Sequence, residues 1–297
     1  MKSVTQKNKD KNRCAIGIIG GSGLYDMQGF SNRRVLNIKT PFGLPSAPVI
    51  LGELSGVPCA FLARHGKGHT LLPSEINVRA NIWALKSLGV ERVIAMTAVG
   101  SLKEEMAPRH FVFPDQIFDR TDARISTFFG NGIVGHTAFD SPICLDQSKI
   151  LCENASALGI SSHWGGTYVS IQGPLFSSRA ESHFHRSLGL SIVGMTASTE
   201  AKLAREAELC YSLVSLVTDY DCWKEGEEVS ADKVTRVMHD NSVNAQKLLL
   251  AALKSIAARK TSCRCPDMLK GAIVTDPKAL TPALKKKLAL IIGKYIK

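Results

Sequence analysis

The sequence predicts a single α/β domain with a central, mostly parallel mixed sheet flanked by helices. Three observations carry that prediction. Apolar, β-branched runs alternate along the chain with amphipathic helical stretches, as strand–helix–strand units do. Only 6% of the 297 residues are aromatic while 24 are glycine, which suits a packed α/β core better than a β-sandwich. No linker, repeat or composition break divides the chain, and its 44% hydrophobic content is ample for one large core. The domain is expected over residues 15–297, after a disordered basic tail over 1–14.

Taken in order, "AIGIIGGSG" (15–23) reads as a strand entering a glycine turn. "APVILGELSGVPCAFLARHG" (47–66) reads as two strands joined at Ser55–Gly56, a hairpin signal. Residues 73–90 place Ile76, Ala80, Trp83, Ala84 and Leu88 near helical spacing, with proline at the head and glycine at the tail. Strands are expected at 91–102 and 111–121, a helix at 146–160 and a strand at 165–174. A helix at 178–190, a strand at 191–198 and a helix at 199–209 come next. "CYSLVSLVTDYD" (210–221) is a buried-type strand, and a long helix spans about 230–260. In open parallel sheets ligands collect at the carboxyl ends of strands, so the chemistry is sought there.

Composition excludes several classes. No apolar run approaches the ~18 residues a membrane span needs, and no apolar signal core follows the basic N-terminus. The expected setting is intracellular: the cytoplasm, with the nucleus as the alternative. Net charge is +11, but the cations concentrate at the two ends and no Lys/Arg stripe with interleaved aromatics appears between them. A partner that is an anionic small molecule is expected rather than nucleic acid or a membrane. Of the eight cysteines, most read as reduced, buried thiols. The C-x-C pair Cys263 and Cys265 leaves a local disulfide and two free thiols both open. Without a second Cys/His pair it is weak support for zinc, and no metal is expected.

Four strand ends carry small or polar residues where packing alone would favour apolar ones. "IIGGSGL" offers backbone N–H groups and the Ser22 hydroxyl; it is not a dinucleotide-binding glycine pattern, because Asp26 stands at the third glycine. "FLARHG" puts Arg64 and His65 where strand meets glycine, and guanidinium suits phosphate oxygens. "IAMTAVGSL" contributes Thr97, Ala98 and Gly100, and "IVGMTAS" contributes Met195 and Thr196. Together they describe a cradle for a dianion such as phosphate. No nucleoside-triphosphate loop is present. A further strand ends in two acids, Asp219 and Asp221, separated by one tyrosine.

With these residues in view, "GIIGGSGLYD", "ARHGKGHTLLPSEINVRANIWALK", "TAVGSL", "GPLFSSRAES" and "MTASTEAKLAREAELCYSLVSLVTDYDCW" resemble the S-methyl-5′-thioadenosine phosphorylases, of the trimeric purine nucleoside phosphorylase branch. The similarity runs from about residue 15 to 255. It implies a nucleoside phosphorylase-like fold and a pentosyl transfer: phosphate and methylthioadenosine give adenine and 5-methylthioribose 1-phosphate, a step of methionine and purine salvage. By resemblance, phosphate falls to Ser22, Arg64, His65, Thr97, Ala98 and Thr196. Met195 lies against the ribose, Phe176 and Ser177 flank the purine, and His136 lies near the 5′ end, where a neighbouring subunit helps to cover it. Asp219 and Asp221 are the catalytic pair on the adenine edge. The resemblance implies a homotrimer and no cofactor, inorganic phosphate being a co-substrate.

Three positions depart from the family pattern: Thr199 where proline is usual, Leu175 where arginine is usual, and Ser22 where many relatives carry threonine. Thr199 is expected to alter the loop carrying Met195 and Thr196. Two other readings stay open: a broader purine nucleoside phosphorylase that accepts adenosine or, less readily, inosine and guanosine, and a non-catalytic nucleotide-binding module.

Overall fold

The computed structural model describes residues 13–21, 27, 29–227, 229–260 and 262–296. Ser22 and nearly all of the 1–14 tail lie outside the described residues. Strand β1 (Ile16–Gly20) is buried at every position, as its unbroken apolar character requires of a strand covered on both faces. Strands β3 (Val49–Leu54) and β4 (Val57–Ala63) form the expected hairpin. Its turn residues Ser55 and Gly56 both have positive φ, 52° and 76°, matching the twist of a two-residue hairpin loop. Strand β2 (Phe30–Leu36) pairs with β3 and was not foreseen. Its five central residues are exposed and polar or singly apolar, so it carries no periodic signal.

Helix α1 (Val78–Ser87) starts later than the proline at 73 suggested. Glu75 accepts a hydrogen bond from the Leu72 N–H, and Asn77 accepts one from the Ala80 N–H. Both bonds hold 72–77 as a turn and leave Asn77 as the cap. Strand β5 (Arg92–Ser101) follows, then β6 (Phe111–Phe113) and β7 (Gln116–Arg120), where a single strand was expected. Helix α2 (Leu145–Ala157), β8 (Ser162–Trp164), β9 (Thr167–Ile171) and α3 (Arg179–Ser187) complete the middle of the chain. A reciprocal Ser178–Glu181 capping box starts α3. Strand β10 (Ile192–Gly194) is shorter than the sequence suggested, because α4 (Ala197–Glu206) begins within "MTAS". Strand β11 (Cys210–Asp219), α5 (Ala231–Ala258) and an unforeseen α6 (Pro282–Ile292) close the order.

The sheet runs β2-β3-β4-β1-β5-β10-β9-β7, with β11 pairing both β5 and β6, and β6 pairing β8. Strands β4, β1, β5 and β11 are mutually parallel neighbours. Antiparallel pairing enters through β2–β3–β4, β6–β11 and β5–β10. The result is the mixed, mostly parallel sheet of one α/β domain. Helices α2 and α5 pack on one face over Ile16, Ile18 and Phe61. The other face is covered by α1, α4 and α6 around Ile19, Leu62 and Val93. No described helix is long and apolar enough to cross a membrane.

One detail of register positions the site. Strand β1 pairs with β5 only through Ile19↔Ala95. Strand β10 takes up β5 again at Gly100 and Ser101, running antiparallel. Between Ala95 and Gly100 that edge of β5 is released by one strand before the other reaches it. Thr97 and Ala98 therefore lie inside β5 rather than at its carboxyl end, and they reach a ligand because the sheet forks beside them.

The C-terminal chain also alters one reading. Cys263 and Cys265 do have a second pair: Cys144, just before α2, and Cys210, at the start of β11. The four Sγ atoms lie within 4.8 Å of one another.

Candidate active site

A cavity of about 760 Å³ opens at the fork of the sheet, within the range of small-ligand sites. Arg64, His65, Thr97, Ala98, Phe176, Ser177, Met195, Thr196, Asp219 and Asp221 all line it. Gly21 lines it too, immediately before Ser22. His136 does not. It is exposed, on a segment whose His136 N–H donates to the Ala272 carbonyl at 2.8 Å.

The anion end is built around Arg64. Its backbone N–H donates to the Gly20 carbonyl at 3.0 Å, which fastens the end of β4 to the end of β1. Its side chain is 3% exposed, and the guanidinium is bidentate to Glu200: Nε to Oε1 at 2.5 Å and Nη2 to Oε2 at 3.1 Å. Nη1 donates to the Met96 carbonyl at 2.7 Å, and Tyr211 Oη donates to Glu200 Oε2 at 2.9 Å. The cation that sequence reasoning left free for phosphate is thus first held in place by a buried acid of α4. Three of its five N–H donors are used here, which leaves two for a ligand. Glu200 escaped the sequence reading; its signal was a carboxylate on the same helical face as Leu203 and Ala204, at the core side of an amphipathic stretch.

Thr196 is the clearest sign of a ligand at this end. It caps α4 without a side-chain capping bond. Its hydroxyl is buried and has no hydrogen-bond partner among the described residues. A buried polar group without a partner costs on the order of 1–3 kcal/mol, and this one faces a cavity at a helix N-terminus, where anions are favoured. Thr199 sits three residues into the same helix, buried, so the missing family proline leaves the Thr196 cap in place.

His65 takes a defined protonation state. Burial drives its imidazole down to about 4, so the ring is neutral at pH 7. Nδ1 lies 2.9 Å from the Leu71 carbonyl, and because a carbonyl only accepts, Nδ1 carries the proton. Nε2 is left as an acceptor. Toward a phosphate the ring can receive a hydrogen bond from a P–OH group but cannot donate one.

At the other end, a bulge places the acids. The pairing of β11 with β5 slips between Val217 and Asp219, so Thr218 is the extra residue and Asp219 lies opposite Gly100. Thr218 Oγ1 donates to Asp219 Oδ2 at 2.7 Å, and the Asp221 N–H donates to Asp219 Oδ1 at 2.8 Å. Gly100 has to be glycine, since a Cβ there would stand 2.9 Å from Asp219 Oδ1 and 3.3 Å from Asp221 Cβ. Asp221 holds φ at 50°, a left-handed conformation that Asp and Asn tolerate better than most residues. Burial pushes both carboxyls above their ordinary values; the hydrogen bond from Thr218 opposes the rise at Asp219, whereas the neighbouring Asp219 charge adds to it at Asp221. Asp221 Oδ2 is buried without a partner among the described residues. Two acids biased toward holding protons can both accept from an amino group and donate to a ring nitrogen.

Met195 sits between these ends. Its position requires Gly173, whose φ is +65° and whose Cβ would come within 2.5 Å of Met195 Sδ. Phe176 is half-exposed at the rim, and Leu175 beside it is 83% exposed. Helix α5 supplies a wall that the sequence reading missed, through Val234, Met238 and His239. These residues were legible only as one face of an ordinary amphipathic helix.

A family model described as "Phosphorylase superfamily" matches residues 15–254. This chain belongs to the phosphorylase superfamily. Within it, the chain is 49% identical over 283 residues to an S-methyl-5′-thioadenosine phosphorylase of Geobacter sulfurreducens, covering 95% of this chain and 99% of that one. It is 51% identical over 281 residues to the enzyme of that name from Koribacter versatilis, covering 94% and 96%. A methylthioadenosine phosphorylase from an antarctic soil metagenomic library superposes with a TM-score of 0.91 at 46% identity, over 94% of this chain and 99% of that chain. A Schistosoma mansoni adenosine/methylthioadenosine phosphorylase mutant in complex with methylthioadenosine superposes at 0.80 with 35% identity, over 95% and 98%. The phosphorylase fold and the forked-sheet cavity therefore go together in this chain.

Proposed function

We propose that this chain is an S-methyl-5′-thioadenosine phosphorylase that converts methylthioadenosine and phosphate to adenine and 5-methylthioribose 1-phosphate. The observation that carries the reading is an acid pair, Asp221 buried and Asp219 half-buried, facing one cavity with an arginine and a helix-cap hydroxyl without a partner among the described residues. Cleavage of the glycosidic bond develops positive charge on the ribose and negative charge on the base. Phosphate beside Arg64 and Thr196 offsets the first charge. Asp219 accepts from the exocyclic amino group and, when protonated, supplies the ring nitrogen as the base departs, with Asp221 in support. Both effects are positioning and electrostatics in a site shielded from water. The reaction so drawn needs phosphate as co-substrate and draws on no cofactor.

The acids also give a reason for the base. An oxopurine presents an acceptor where adenine presents a donor, and two buried acceptors facing one another cost on the order of 1–3 kcal/mol. Adenosine meets the same test as methylthioadenosine, so the two should differ only at the 5′ group. The family resemblance supports a homotrimer in the cytoplasm, in which the exposed rim residues Leu175 and Phe176 would be covered. Light scattering on purified protein tests the trimer. Steady-state release of adenine from methylthioadenosine, adenosine and inosine, with and without phosphate, tests the reaction. Release that does not require phosphate, or binding without turnover, would overturn it.

A further inference from the structure

We propose that Cys144, Cys210, Cys263 and Cys265 form a tetrahedral thiolate site for one structural zinc-type cation. The four residues come from three separate parts of the chain. Cys144 caps the N-terminus of α2, Cys210 opens β11, and the C-x-C pair lies in the segment beyond α5. All four Sγ atoms lie within 4.8 Å of one another, and Cys210 Sγ stands 3.4 Å from Cys263 Sγ. Bonds of ~2.3 Å at tetrahedral angles put thiolates about 3.8 Å apart around zinc, whereas a disulfide brings two sulfurs to about 2.05 Å. The mutual spacing of four sulfurs therefore fits a shared cation better than two covalent pairs. Cys144, Cys210 and Cys265 are buried and Cys263 is partly so, which is the closed environment of a structural rather than a catalytic metal.

The surroundings have the charge that such a site needs. Four thiolates and one divalent cation carry a net charge of −2. Arg205, itself buried, places Nη1 3.8 Å from Cys265 Sγ. Arg92, Arg259 and Lys260 border a void of about 10 Å³ that Cys144, Cys210 and Cys263 also line. Asp146 is the one acid among the described residues lining that void, so three cations outnumber it beside the sulfurs. Loading the site releases up to four thiol protons to solvent and changes no oxidation state.

Position supports a stapling role. Strand β11 runs from Cys210 to Asp219, so the cysteines lie about 30 Å from the acids at ~3.3 Å per residue. A cation there would tie the segment that leads to α6 onto the start of β11 and the head of α2. That segment lies beyond the 15–254 span shared with the superfamily.

The test uses full-length protein made in a reducing cytosol and purified without chelator or metal-affinity resin. Elemental analysis should find about one zinc per chain. Mercurial titration of the thiols should release it, and a strong chelator should lower Tm by about 5–10 °C. Cys144→Ser and Cys265→Ser should each lose the metal, while Cys152→Ser, away from the cluster, should keep it. Cobalt loaded into the stripped protein should give thiolate charge-transfer bands. Metal-free protein with all eight thiols titratable after denaturation overturns the proposal. So does metal-free protein with fewer thiols, which would mean disulfides, or metal that survives in Cys144→Ser.

Discussion

Strand β11 joins two polar clusters of opposite kind. At its carboxyl end, Asp219 and Asp221 face a cavity in which Asp221 Oδ2 and the Thr196 hydroxyl stay buried without partners among the described residues. At its amino end, Cys210 gathers three more sulfurs from distant parts of the chain, and a buried arginine stands over them. The first cluster opens on a cavity large enough for a substrate, and the second is packed too tightly for anything larger than an ion. Polar groups left unsatisfied inside a protein cost stability unless something else completes them, so the carboxyl end reads as a place for substrate. Sulfurs gathered tightly enough to share one structural cation leave no room for a substrate, so the amino end reads as architecture.

The contrast can be broken most strongly at Asp219. Asp219→Asn should lower kcat/KM for methylthioadenosine by about 10²–10⁴-fold, the scale of a lost proton-handling group, and should improve inosine relative to it. Steady-state kinetics on both nucleosides decides this, and an unchanged preference would remove the carboxylate from base recognition. Glu200 comes next. Glu200→Ala leaves the Arg64 guanidinium buried and unpaired, at a cost of about 3–5 kcal/mol, readable by urea denaturation. The double variant with Arg64→Ala should recover part of that loss, since no lone buried charge remains. If the double variant is no more stable than Glu200→Ala, the pair is not what holds the arginine.

A smaller effect should separate the two clusters by kind. Thr196→Val deletes a hydroxyl that bonds nothing among the described residues. The KM for phosphate should rise by about 10–100-fold, equivalent to about 1.4–2.7 kcal/mol, while Tm holds or climbs. A drop in Tm with unaltered phosphate saturation would make Thr196 structural. The smallest expected change is at Asp221. Its carboxyl is raised by burial, so the folded state favours the neutral form. The stability this gives is present below the ordinary carboxylate value near ~4 and is lost as pH rises through the raised folded value. Asn is neutral throughout and accepts the positive φ. The Tm advantage of Asp221→Asn should therefore be slight in acid and grow toward pH ~7. A difference independent of pH would mean that the buried carboxyl is not under strain from its charge.

How much of this could be read beforehand differs from element to element. The hairpin at Ser55–Gly56, the buried strand before Asp219 and the long helix near 230–260 announced themselves through turn chemistry and periodicity. Strand β2 did not, because its exposed "SNRRV" buries no apolar face and so shows no alternation. Arg64, Thr97, Thr196 and Asp219 were found as polar residues in apolar company, and all of them meet in one cavity. Glu200 and Met238 were missed because each occupies an ordinary place in a helical pattern. His136 matched a family position but stands apart from the cavity within one chain.

By itself the sequence determined the alternation of strands and helices, the strand termini where polar groups gather, and the family to which those motifs belong. The first two follow from side-chain periodicity and local backbone preference, which act over a few residues, and the family follows from the resemblance of its motifs. Only the tertiary structure decided that β1 releases β5 after Ala95, that a bulge at Thr218 turns Asp219 toward Gly100, that Glu200 takes the Arg64 guanidinium, and that Cys144 and Cys210 complete the C-x-C pair. Those outcomes depend on register and on contacts between residues up to 136 positions apart, and no local pattern encodes a distance of that kind.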